Sequence, residues 1–175
     1  MRNLQTENVA MHSQQTAIIA YALGVIDNEV FGLTTNADKC ATLAVFHEAS
    51  EVLVGDMPTV VKYRNDDMIK AFKEAEKDAE KKLLSTLPDN LKKHFAAVMA
   101  PGECREVKLV KFADKIASYI KCIEEVTAGN NEFKNAKNVN EKVIKDYNDK
   151  TVNYFLDNFI DSFYFNLDEL LNGNQ

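Results

Sequence analysis

Tryptophan is absent from the 175 residues, and proline (3), glycine (6), cysteine (3) and histidine (3) are all scarce. So little proline and glycine, beside 46% hydrophobic residues, excludes a disordered or collagen-like chain and fits a packed core. No apolar run reaches the ~18 residues of a membrane span. Nor does a cationic segment followed by an apolar run open the chain, so neither a membrane helix nor a secretory signal is expected. Three cysteines, Cys40, Cys104 and Cys122, lack paired spacing, which excludes a disulfide framework and reads as reduced thiols of a soluble, cytoplasmic protein. Positive charge is in deficit, 21 Lys and Arg against 27 Asp and Glu, so a polymeric nucleic acid would find no basic footprint. A small anionic substrate would need a metal or a local cation to hold it. The length predicts one domain over residues 1–175, and no repeat or low-complexity linker divides it.

What is present is helical periodicity. Thr6 or Asn8 can cap a helix from Val9 to about Ile26, with His12, Thr16, Ile19, Leu23 and Ile26 on its buried stripe. Residues 27–35 read as a polar loop, and Asn36 caps a second helix through Phe46 whose inner stripe continues into His47. Val52, Leu53 and Val54 run into a Gly55-Asp56 turn, and residues 57–65 read as a loop holding a short helix at most. A charged amphipathic helix over 66–87 should turn Met68, Ile69, Phe72, Ala75, Ala79, Leu83 and Leu87 inward, and Pro88 starts a short one ending near Ala100. A long helix from about Glu103 to Ala128 places Asp114 among apolar neighbours, and Gly129 and Asn130 close it. The remainder, 132–171, is further helix rich in Phe and Tyr, read as core or as a subunit contact. With no convincing strand alternation, the expectation is an all-α protein.

The stretch Phe46-His47-Glu48-Ala49-Ser50-Glu51 sets an imidazole beside a carboxylate, with a second carboxylate one turn on and apolar residues on both sides. Charge in such surroundings is costly unless it is paired or bound to a metal. Three interior helices offer donors: His12, then His47 with Glu48, then Asp114. Two imidazoles and two carboxylates form a borderline N/O set suited to Zn, Mn, Co or Fe. Taken singly, each has an ordinary alternative, a hydrogen-bonded core histidine or an ion-paired acid. Spacing alone does not decide between the two.

The blocks Thr6-Glu7-Asn8-Val9 before His12-Ser13, His47 to Leu53 with Gly55-Asp56-Met57-Pro58-Thr59, Lys111-Phe112-Ala113-Asp114 with Tyr119-Ile120-Lys121-Cys122, and Ala128-Gly129-Asn130-Asn131-Glu132-Phe133 decide further. Together they resemble the HD-domain metal-dependent phosphohydrolases, in the bacterial 5′-deoxynucleotidase (YfbR-type) branch. That resemblance implies an HD-domain helical bundle that hydrolyses a deoxyribonucleoside 5′-monophosphate to nucleoside and phosphate. It implies one divalent transition metal, Co, Mn, Zn or Fe rather than Mg, on His12, His47, Glu48 and Asp114. It assigns Glu51 to the nucleophilic water, with a second possible part in orienting a histidine, and Asp56 to discrimination at the sugar 2′ position, where a plain turn aspartate is the alternative. Thr59 is placed near the substrate, and the subunits are expected to pair as a homodimer.

Two departures from the family pattern stand out. Glu48 occupies a position where the family has Asp, and its arm is longer by one C–C bond, about 1.5 Å. The metal must then shift, the side chain bend, or the ligand be lost. The family also carries a stretch ahead of the equivalent of Met1-Arg2-Asn3, with an Arg for the phosphate and a Trp near the sugar, and no residue here takes those roles. A phosphohydrolase for another small phosphate ester, or a non-catalytic nucleotide- or partner-binding HD module, therefore stays open at this point.

Overall fold

The structure is a computed structural model, and it describes residues 2–55, 57, 59–62 and 64–172. Helix α1 (Val9–Glu29) begins where the Asn8 side chain accepts the Met11 amide at 2.9 Å, and α2 (Ala37–Phe46) where Asn36 accepts Lys39 N–H at the same distance. Two one-turn helices follow, α3 (Glu51–Val54) and α4 (Thr59–Lys62), then α5 (Asp66–Ser85) and α6 (Asp89–Met99). The long α7 (Arg105–Thr127) ends in a left-handed Gly129, φ 93°, with Gly129 N–H on Val126 O and Asn130 N–H on Glu125 O, the bond pair of a Schellman cap. A 3₁₀ turn (Asn131–Phe133), α8 (Lys134–Asp146), α9 (Lys150–Phe159), a second 3₁₀ turn (Ile160–Tyr164) and α10 (Leu167–Asn172) complete the chain. No strand occurs among the described residues, and the fold is all-α as expected.

The core lies where α1, α2 and α7 pack together, with Leu23, Cys40, Ala44, Leu109, Ile116, Ile120 and Ile123 removed from water. Helices α1 and α2 run antiparallel and very close: a Cβ on Gly24 would fall 2.8 Å from the Ala37 Cα, so only glycine fits there. Against α7, Asp27 meets Arg105, His12 meets Asp114 and Leu4 meets Glu125, an order that makes this pair antiparallel too. The N-terminal half of α1, the end of α2 and the middle of α7 thereby converge.

Several sequence expectations need correction. Helix α1 runs past Ile26 to Glu29 because Asp27 is a buried anchor rather than a loop residue. Ala75 faces solvent, while Phe72 and Ala79 carry the buried face of α5. The second helix does end at Phe46 as expected, and residues 47–50 form successive turns, Ala49 N–H to Phe46 O and Glu51 N–H to Glu48 O. Val52 and Leu53 are exposed, 77% and 52%, so the apolar run after Glu51 belongs to the surface. The C-terminal aromatics, read as core or subunit contact, divide: Phe155 is in the core, and Phe159, Tyr164 and Phe165 are exposed.

Asp27 is fully buried and accepts from Arg105 Nε and Nη2 at 2.8 Å, from Thr35 Oγ1 at 2.7 Å and from Thr151 Oγ1. Arg105 also donates to Asp149, at 2.6 Å through Nη1, so one guanidinium ties α1, α7 and α9 together. Burial opposes ionisation of Asp27 and Asp149, but the guanidinium outweighs it and holds both carboxyls below their ordinary 3.8. Their stabilising share is therefore complete above that pH and fades as pH falls through their lower folded values. Asp27→Asn should cost about 3 kcal/mol in denaturant titration, as expected for a broken buried ion pair. The same variant should lose stability less steeply than the wild type below pH ~4; parallel acid limbs would contradict this account.

Candidate metal centre

His12 stands one turn into α1 and its imidazole works at both nitrogens. Nδ1 lies 3.6 Å from Glu7 Oε1, and Nε2 lies 3.0 Å from Asp114 Oδ1, 3.4 Å from Thr16 Oγ1 and 3.8 Å from Glu48 Oε1. Glu7 thus steadies the ring from behind, an arrangement that commonly fixes ligand histidines. The segment ahead of it is strapped to the end of α7. Glu125 accepts the amides of Leu4 and Gln5 at 2.9 and 3.1 Å, and Lys121 donates to Gln5 O and to Glu125 at 2.8 Å. Asn130 donates to Arg2 O at 2.7 Å.

His47 caps the end of α2 and donates from Nδ1 to the Ala44 carbonyl at 2.6 Å, a bond that leaves Nε2 as the bare, basic nitrogen. This Nε2 is buried and has no hydrogen-bond partner; Glu48 Oε1 and Asp114 Oδ1 stand 3.8 and 4.0 Å away. Native proteins seldom leave a buried acceptor unmatched, and each such atom calls for an explanation. The rings of His12 and His47 are 5.6 Å apart.

The protonation pattern follows from these contacts. Burial works against charge on His12, but the carboxylates of Asp114, Glu7 and Glu48 outweigh it and raise its pKa to about 10. Burial pushes His47 down, and the charge on His12 adds to that. For Asp114 burial opposes ionisation, yet the hydrogen bond from His12 prevails and keeps the carboxyl below its usual range. A protonated His12 beside an ionised Asp114 holds a proton in the space between the donors.

One donor atom from each of His12, His47, Glu48 and Asp114 lies within 4.8 Å of the others. Donors on opposite sides of one ion with bonds of 2.0–2.2 Å stand about 4 Å apart, so a contraction below 1 Å closes the set. Glu48 is not lost to the group: its longer arm bends so that Oε1 is equally far, 3.8 Å, from both histidine Nε2 atoms. The four residues fit a divalent cation.

Around them opens a cavity of about 540 Å³ whose walls include Glu7, Glu51, Met57, Lys62, Phe72, Lys115 and Ser118. Glu51 therefore shares a space with His12, Glu48 and Asp114. Asp56 lies outside the described residues, and Thr59 is placed only as the first residue of α4. Lys62 is half-buried, bonded to Glu76 at 2.8 Å and seated over the Phe72 ring. Glu7, Lys115 and Ser118 had no role from sequence. Glu7 shows there only as a polar residue ahead of a cap, and Lys115 follows Asp114 with no spacing signal of its own.

Residues 1–163 match the family described as 5′-deoxynucleotidase YfbR-like. The chain belongs to that family. A 5′-deoxynucleotidase of Citrobacter koseri is 45% identical over 173 residues, covering 97% of this chain and 86% of its own length. The 5′-deoxynucleotidase YfbR of Escherichia coli O127:H6 is 44% identical over 172 residues, with the same coverage. Among solved structures, an HD-domain phosphohydrolase from Listeria innocua superposes with a TM-score of 0.83 at 24% identity, over 98% of this chain and 85% of that one. The fold is thus the HD-domain helical bundle.

Metal binding should be directly visible as stability. Cobalt or manganese at 100 times its dissociation constant stabilises a one-site protein by about 2.7 kcal/mol, which is a rise in Tm of roughly 5–10 °C at this chain length. EDTA should reverse the rise and His47→Ala should abolish it. An equal shift in the variant would place the ion elsewhere.

Proposed function

We propose that this protein is a metal-dependent 5′-deoxynucleotidase, converting a deoxyribonucleoside 5′-monophosphate and water to the deoxyribonucleoside and phosphate. The observation that carries this reading is the unpartnered, buried Nε2 of His47 among three further N/O donors, in a chain of this family. His12, His47, Glu48 and Asp114 are the metal ligands. Their borderline donor set favours Co, Mn, Zn or Fe over Mg, which prefers oxygen and water. When bound, such a cation lowers the pKa of a water and polarises the phosphoryl group.

Within the cavity Glu51 accepts the proton of the attacking water as the P–O5′ bond breaks, a part supported by its place in the same cavity as His12, Glu48 and Asp114. Glu7 and the Ala44 carbonyl hold the two imidazoles in the orientation the ion requires. Asp56 discriminates against a 2′-hydroxyl and Thr59 lies along the substrate, both assigned from the family resemblance. Residues 1–175 act as one HD-type domain in the cytoplasm, and no described helix is long and apolar enough to cross a membrane. The working form is a homodimer. Supporting that, an open apolar groove of about 740 Å³ runs between α1 and α2, with Ile18, Tyr21, Val45 and Val52 exposed along it. A second copy offering the same face would cover it about a two-fold axis.

Phosphate release from each deoxyribonucleoside 5′-monophosphate, with Co, Mn, Zn and Mg in turn, checks this reading. Glu51→Gln should lower kcat by about 10²–10⁴ and leave the metal-induced rise in Tm intact. Glu48→Asp should keep both metal and activity. Background hydrolysis with every metal would leave only a binding module. For the assembly, light scattering should give twice the chain mass, and Ile18→Asp should give the monomer.

A further inference from the structure

The chemistry above leaves a charge problem. Four carboxylates, those of Glu7, Glu48, Glu51 and Asp114, line the cavity that must admit a phosphate monoester bearing close to two negative charges at neutral pH. A divalent ion on Glu48 and Asp114 offsets two of them, and Glu7 and Glu51 still face the dianion. Two lysines line the same walls, Lys62 and Lys115.

They are not equivalent. Lys62 is bonded to Glu76 at 2.8 Å and lies 4.4 Å from the centre of the Phe72 ring, so its charge is already answered and its position fixed. Lys115 is half-buried on α7 and, among the described residues, makes no hydrogen bond or ion pair. Its charge is near enough to help keep Asp114 ionised, which sets it beside the metal donors. Ser118, one turn further along α7, brings a hydroxyl to the same wall. The Lys115 ammonium, bonded to no described residue, is therefore left to meet a ligand in the cavity that it lines.

We propose that Lys115 is the substrate-binding cation of this site, meeting the phosphate oxygens that the metal does not hold. The inference rests on the phosphomonoesterase reading given above. An ammonium on a four-carbon stem suits the part, since it can follow the phosphate as a mobile point charge. It also explains how a protein of net charge −6 with an acid-lined cavity can hold an anion.

The test compares wild type, Lys115→Gln and Lys115→Arg, all metal-loaded. Binding of inorganic phosphate is followed by calorimetry, KM and kcat by hydrolysis of a deoxyribonucleoside 5′-monophosphate, and metal loading by the rise in Tm. Lys115→Gln should weaken phosphate binding and raise KM, each about tenfold, with kcat within about threefold, the signature of lost uniform binding. Lys115→Arg should recover most of both, and the metal-induced Tm rise should be the same in all three. Unchanged phosphate affinity and KM in Lys115→Gln would overturn the assignment, as would a metal-loaded wild type with no affinity for phosphate. A wild type that binds phosphate through Lys115 but hydrolyses no nucleotide would instead overturn the enzymatic reading and leave the anion site standing.

Discussion

A buried imidazole nitrogen with nothing to bond is the constraint around which the molecule is arranged. His47 Nδ1 is committed to the Ala44 carbonyl, so the opposite nitrogen must point at Glu48, Asp114 and His12, where the free protein offers it no proton. An ion of double charge at that position, as proposed, would remove the cost. His12 and Asp114 meanwhile answer each other across 3.0 Å, with a proton between them that such an ion would displace.

Holding that arrangement is the work of the three core helices. The glycine contact between α1 and α2 sets their separation, and at the far end of the same pair the two histidine rings stand 5.6 Å apart. Asp27 and Arg105 lock one end of α1 to α7, while Glu125, Lys121 and Asn130 strap the chain ahead of His12 to the other end. His12 sits between these two fastenings, so its imidazole has little freedom to leave Asp114. Rigid support of this kind is what a site needs when donors from separate helices must meet within a few tenths of an ångström.

Much of this was legible in the residue order. The 3.6-residue stripe through His12, Thr16, Ile19, Leu23 and Ile26 placed the first histidine inward, and Asn8, Asn36 and Gly129 marked boundaries that the structure keeps. The four donors could be named from helix faces, but their meeting could not, since that depends on helix separations set by packing. Asp27 reads as loop in the sequence because its partner, Arg105, is 78 residues away. The exposure of Val52 and Leu53 has no mark in the sequence, because apolar character alone does not distinguish core from surface. Glu7 and Lys115 carry no signal in the residue order, because Glu7 meets His12 across a turn and the cavity that Lys115 lines forms only when the helices pack.

Anomalous diffraction at the cobalt edge, from a crystal grown with Co²⁺, tests the central claim most directly. The account predicts one strong peak about 2.0–2.2 Å from His47 Nε2, with His12 Nε2, a Glu48 oxygen and an Asp114 oxygen completing the protein ligands and the His12–Asp114 hydrogen bond gone. A crystal at saturating cobalt with that hydrogen bond intact and no peak at His47 would contradict it.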